Sequence, residues 1–227
     1  MDAVHAGETR AAPLAAADRL EAIPDRIPAA SQGTMNNLII GGPTFAYYVY
    51  ELGRNFWFWS PQLQFHSPEH DVAVTGFAVW MRFRSMAAAG VRGAPFNGTP
   101  FDTFRSQDEG LIGQYEADPS LTFANTLAQD KSPGLYGGAD FWASIMMQLA
   151  ARHGDQEFVE RFWHLVGSLP TANSTIDAVT NWVQAASSAA CTDLSAVFYS
   201  RWGFPRPDGT TAPRPPSGNV PEPAGNC

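Results

Sequence analysis

Basic side chains are scarce in this sequence. Its 14 Lys and Arg are thinly spread against 22 Asp and Glu, for a formal net charge of -8. A nucleic-acid groove needs the opposite, clustered cations facing phosphate. Long apolar runs are missing too: none approaches the ~20 residues of a membrane-spanning helix, and Met1 to Ala30 lacks the basic start and compact apolar segment of a signal peptide. Alternating strand patterns are nearly absent. So are several short enzyme motifs. There is no G-x-S-x-G elbow, no phosphate loop and no dinucleotide fingerprint, and Ser31, Ser60 and Ser106 sit in no context that marks a nucleophile. Cysteine is limited to Cys191 and Cys227, too few to fix the redox compartment. A bridge between them would fasten the C-terminal tail across a loop of about 36 residues; the alternative is a buried Cys191 beside an unbridged Cys227.

What is present is a core. With 44% hydrophobic residues in 227, the chain can bury one principal core. Residues 1–33 are rich in Ala, short of aromatics and interrupted by Pro24 and Pro28, and read as a leader or linker. Over 206–227, Pro207, Pro213, Pro215, Pro216, Pro221 and Pro223 lie among Gly and Asn, which predicts an extended or disordered tail. The folded domain is therefore expected over 34–205. Within it Thr44 to Trp59 is apolar nearly all round, as a buried helix is, and stops at Ser60-Pro61. Ser67-Pro68-Glu69 combines an N-cap, a proline at the first helical position and an early acid, and predicts a helix onward to Met86, closed by Gly90. Further helices are predicted over Asp102 to Tyr115, Ala139 to His153 with Gly154 as C-cap, Asp155 to Gly167 and Thr175 to Ala189, with a short one at Asp193 to Tyr199. The fold class is mainly α, a compact multi-helix domain with flexible ends.

One stretch carries the outline of a metal-binding helix. Tyr50-Glu51-Leu52-Gly53-Arg54 has the spacing of H-E-x-x-H, in which two histidines one turn apart hold zinc and the glutamate between them activates its water. Tyr50 and Arg54 occupy the histidine positions. Neither a phenol nor a guanidinium replaces a neutral imidazole as a zinc ligand, so only Glu51, the general-base position, is kept. On one helix Arg54 can pair with Glu51 or with an acid elsewhere, a structural role. The catalytic alternative is metal-free: Glu51 as base, Tyr50 as donor, and Arg54 holding a substrate carboxylate.

The helix order, the pattern Tyr136-Gly-Gly-x-Asp140-Phe141-Trp142 and the run Gln148-Leu149-Ala150 to Gly154 resemble the C-terminal helical half of gluzincin metallopeptidases of the enhancin and mucin-degrading type, over roughly 44–203. A second and nearer resemblance is to a recurrent bacterial secreted domain of unassigned activity, carrying Y-E-L-G-R-N-F-W, T-G-F-A-V-W-M-R and W-G-F-P at Tyr50 to Trp57, Thr75 to Arg82 and Trp202 to Pro205. The gluzincin resemblance implies a third zinc ligand, a glutamate on the next helix, but that position falls near Val74 and Thr75, where there is no carboxylate. The strand-rich half of a zincin has no counterpart in the first 43 residues. The resemblance thus implies a secreted or cell-surface domain descended from a zinc peptidase. It is expected to bind a protein or glycan without a cofactor, the alternative being a hydrolase.

Three other groups have chemistry in reach. His66-Ser67-Pro68-Glu69-His70 matches the inverted zinc motif H-x-x-E-H, although Ser67-Pro68 reads as a helix beginning that would leave His66 outside the helix of His70. With zinc as the alternative cofactor, His66 and His70 are its candidate ligands. Asp108-Glu109 with Glu116 and Asp118 read as solvated acids, without the spacing of a calcium loop. The aromatic set Phe56, Trp57, Phe58, Trp59 and Trp80 reads mainly as core, with Trp59, beside a proline turn, and Trp80 as candidate stacking surfaces for a ligand.

Overall fold

The computed structural model describes residues 49–50, 61–66, 70–90, 93, 95–96 and 98–215. Among them it is mainly α-helical, with two isolated bridges, Phe96 with Thr99 and Lys131 with Gly137, in place of any strand. The helices are α1 (His70–Ala88), α2 (Phe101–Ala117), α3 (Gly138–Arg152), α4 (Gln156–Val166) and α5 (Thr175–Ala189). Two 3-10 turns, Phe123–Asn125 and Leu127–Gln129, precede α3, and a π-helical turn, Val197–Arg201, follows α5. Val49 and Tyr50 are helical as well. The rest of the Thr44 to Trp59 segment, and the Ser67-Pro68-Glu69 start signal, lie outside the described residues.

α3 packs against both α1 and α2, and it is apolar over most of its circumference: Phe141, Trp142, Ile145, Met146 and Leu149 are all buried. The approach of α1 depends on Gly76, where a Cβ would sit 2.7 Å from the Ala139 carbonyl oxygen and 2.8 Å from Trp142 Cβ. The glycine of T-G-F-A-V-W-M-R is thus a contact point between helices. At the start of α3 the Asp130 carboxylate accepts from the Gly138 N–H (3.0 Å), and the Asp140 carboxylate accepts from the Gly137 N–H (3.2 Å). These two bonds satisfy donors that a helix start leaves open. A side chain on Gly138 would meet the Asp130 backbone at 2.9 Å, so Tyr136-Gly-Gly-x-Asp140 is in the first place a helix start.

Beyond α3, Trp142 stacks on Trp182 of α5 with ring centroids 5.0 Å apart, and Trp182 meets Phe198 and Phe204 edge-on at 5.2 and 5.5 Å. Burying each such ring contributes on the order of 2 kcal/mol. Trp202 and Phe204 both belong to this core, and Gly203 turns the chain between them at a φ of 66° that disfavours any side chain. The Tyr115 hydroxyl donates to the Trp202 carbonyl (2.6 Å), and the Trp202 indole N–H donates to Glu116 (2.8 Å). The W-G-F-P motif therefore closes the core.

The chain stays on the body past the expected boundary at 205. Arg214 is 8% exposed. Its guanidinium donates to the carbonyls of Arg201, Asp118, Leu121 and Tyr115 at 2.7 to 2.9 Å and lies 3.8 Å over the Tyr115 ring. One cation meeting four carbonyls and an aromatic face holds a proline-rich segment whose other side chains bury little. Cys191 is disulfide-bonded; the other cysteine of the chain, Cys227, lies outside the described residues.

Candidate functional site

The buried stripe of α2 runs through Phe101, Phe104, Leu111, Ile112 and Tyr115, and it contains one acid. Asp108, one turn after Phe104, is fully buried. This corrects the expectation of a solvated acidic patch: helical spacing puts Asp108 on the core face, while its neighbour Glu109 is exposed and pairs with Arg105 at 2.8 Å. The stripe of α1 has the matching exception. Arg82, between Val79 and Met86 on the inward face, is 5% exposed.

The Arg82 guanidinium is surrounded by rings, with its central carbon 4.7 Å from Phe83, 4.8 Å from Phe104, 5.2 Å from Phe96 and 5.8 Å from Tyr50. Such faces offset part of the loss of hydration. Its Nε and Nη2 atoms have no acceptor, and both Asp108 oxygens have no donor, among the described residues. Buried charged groups normally have partners, so each of these is an exception that asks for a reason. Asp140 completes the group. Its carboxylate, bonded to Gly137, is close enough to Arg82 and Asp108 to act on both electrostatically. Around them, the Tyr136 hydroxyl donates to the Gln107 side-chain oxygen, and Phe104 meets Tyr136 edge-on at 5.2 Å.

Burial governs the protonation of this cluster. It pushes the Asp108 carboxyl up to about 8, the Asp140 charge adds to the rise, and Arg82 opposes it. Burial also raises Asp140 above the usual carboxylate range, against the pull of the Gly137 N–H and Arg82. Tyr136 is raised by burial and by both carboxylates. Burial draws Arg82 below the ordinary arginine range, while Asp108, Asp140 and Tyr50 hold it up. Near neutral pH, Asp108 is mostly a neutral acid beside a cation, able to donate a proton or a hydrogen bond.

Of the residues singled out in the sequence, Tyr50 reaches this cluster. Glu51, Arg54 and Trp59 lie outside the described residues. Trp80 is 1% exposed, packed against Phe77 and Trp163 at centroid distances of 6.0 and 6.5 Å. Its edge reaches a separate cleft of about 420 Å³, bordered by Arg84, Arg105, Glu109, Gln148 and Asp155, and it has almost no face open for stacking. His66 precedes α1. Its ring Nε2 lies 2.9 Å from the Ala172 carbonyl, and its backbone N–H donates to Thr175 at 3.0 Å. A ring nitrogen facing a carbonyl carries the proton and is not a metal ligand. The His70 side chain lies outside the description. No group of three His, Cys, Asp or Glu stands together for a metal among the described residues.

Arg82, Asp108 and Asp140 were not singled out as site residues. Two of them had a signal: a charge standing in a helical apolar stripe, visible as Phe101, Phe104, Asp108, Ile112 and as Val79, Arg82, Met86. Asp140 sits in the glycine motif but reads as a capping acid. Comparison with family models, curated proteins and solved structures finds no match to this chain.

Proposed function

We propose that this chain is a helical domain of gluzincin descent that has left zinc chemistry and binds a protein or glycan ligand at the cluster of Arg82, Asp108, Asp140 and Tyr50. The observation that carries the reading is the meeting of separate segments on one buried, unmatched charge group. Tyr50 comes from the degenerate zinc helix, Arg82 ends T-G-F-A-V-W-M-R, Asp140 belongs to the glycine motif, and Asp108 is the acid in the α2 stripe. Unpaired buried charge opposes folding, and perturbed acids of this kind concentrate at functional sites. Replacement of both zinc-binding histidines by Tyr50 and Arg54 supports the departure from zinc. The disulfide at Cys191 supports a secreted or cell-surface location, since such bonds persist in oxidising compartments.

The second reading, a metal-free hydrolase, is favoured by Asp108. An acid still protonated near pH 7 is what general acid catalysis requires, and Glu51, next to Tyr50, would be the base. Metal analysis with ligand and substrate screens separates these readings. Metal-free protein whose ligand binding is lost in Arg82→Met upholds the first. Glu51-dependent turnover of casein, mucin or small esters supports the second. Stoichiometric zinc overturns both.

A further inference from the structure

The atoms of Arg82 without partners are not a random pair. Nε and Nη2 form one edge of the guanidinium, with two parallel N–H bonds spaced for both oxygens of a planar oxyanion. Phe83, Phe96, Phe104 and Tyr50 crowd round the cation at 4.7 to 5.8 Å and hold it in one orientation. Arginine is thus fixed with its fork unengaged, in a place where lysine would lack the geometry. Asp108, fully buried and with both oxygens unpartnered among the described residues, acts on the same cation. Phe96, 41% exposed, and the exposed Gln107 that accepts from Tyr136 mark where the cluster approaches the surface.

Charge narrows the choice of anion. Arg82 is the one cation acting on Asp108 among the described residues, against the carboxylates of Asp140 and Glu109. Because Asp140 already opposes that one cation, the site tolerates only the smallest added negative charge. A phosphate dianion would bury more unmatched charge than a carboxylate monoanion, and the carboxylate also fits the planar fork.

We propose that the Nε/Nη2 edge of Arg82 is a bidentate subsite for one carboxylate, that of an acidic sugar in the glycan ligand, an inference that rests on the cluster being the ligand site. Asp108, mostly protonated at neutral pH, supplies an O–H to the same carboxylate instead of repelling it.

The test is titration of the ¹⁵N-labelled full chain with D-glucuronate, its methyl ester, acetamide and inorganic phosphate, following the Nε–H resonance of Arg82. Glucuronate is expected to shift that resonance saturably, while its ester, which lacks the charge, does not. Arg82→Lys, with unchanged circular dichroism, is expected to bind glucuronate at least about tenfold more weakly, because the charge remains and the fork is gone. If Arg82→Lys does not fold, the wild-type titration decides alone. A response to the ester or acetamide equal to or stronger than that to glucuronate overturns the carboxylate assignment and leaves the ligand site standing, and so does tighter binding of phosphate. An Arg82 resonance unmoved by every probe overturns the carboxylate subsite, while the ligand site itself falls only with ligand binding unaffected by Arg82→Met.

Discussion

Replacing Asp108 with Asn is expected to stabilise the protein at neutral pH. In the unfolded chain this carboxyl ionises near its ordinary 3.8, and in the folded chain near 8. Because the folded state holds the proton more tightly, the favourable contribution of the group is complete below about pH 4 and is lost as pH rises toward 8. At pH 7 the distance from 3.8 is about three units, and at 1.36 kcal/mol per unit the ionisable carboxyl opposes folding by up to ~4 kcal/mol relative to acid conditions. Asn has nearly the same shape and no charge. Relaxation around the carboxylate and the partial attraction to Arg82 reduce the effect, so a gain of about 2 kcal/mol is expected at pH 7, or ~5 °C in Tm. The groups facing Asp108 are Arg82 from α1, Asp140 from α3, Tyr136 from the loop before α3 and Glu109 beside it. They are present in both proteins, so their own titration largely cancels in the difference. Urea unfolding of wild type and Asp108→Asn at pH 4 and pH 7 reads the effect directly. A gain of equal size at both pH values, or a loss at pH 7, would refute the reasoning.

Arg214→Met removes the donor shared by four carbonyls and is expected to lower stability by ~3 kcal/mol in urea unfolding at pH 7, far more than a loose tail would allow. Gly203→Ala places a Cβ 2.9 Å from Arg214 Cγ at a φ of 66°, and a loss of about 2 kcal/mol with a lower Tm is expected. Reducing the disulfide of Cys191 is expected to lower stability by ~4 kcal/mol, the entropic value for a loop of about 36 residues, with no effect of the reductant on Cys191→Ala. EDTA is expected to leave the melting temperature unchanged, because Tyr50 and Arg54 stand where zinc-binding histidines would be; a chelator-induced drop in calorimetry would contradict this.

Helical periodicity made most of the fold legible in the sequence. Thr175 to Ala189 has the same bounds in sequence and structure, and the helix expected from Ala139 to His153 runs Gly138–Arg152. Punctuation at these ends is local, a Ser174 hydroxyl accepting from the Asp177 N–H and Gly154 at a φ of 95°, so neighbouring residues suffice to set it. The docked segment after 205 was not legible. Its composition is that of a linker, and one side chain, Arg214, reverses the outcome through carbonyls 93 to 99 residues earlier in the chain. The short helix expected at Asp193 to Tyr199 widens at Val197–Arg201, where the Trp202 N–H bonds the Val197 carbonyl at 2.9 Å. The cluster was legible only in part. Asp108 beside Glu109 looks like an exposed acid pair unless the two are resolved by helical face, and nothing local places Asp140 near Arg82, because that meeting depends on how α1 and α3 pack.

The most direct measurement is the titration of Asp108 itself, followed through its side-chain ¹³C carboxyl resonance in the full chain and assigned by comparison with Asp108→Asn. A midpoint near 8 is expected, as for a fully buried carboxyl that, among the described residues, has no hydrogen-bond donor and stands beside one cation and a second acid. A midpoint in the ordinary range near 3.8 would show a solvated or firmly paired carboxylate, and would contradict the account of Arg82, Asp108 and Asp140 as an unmatched buried cluster.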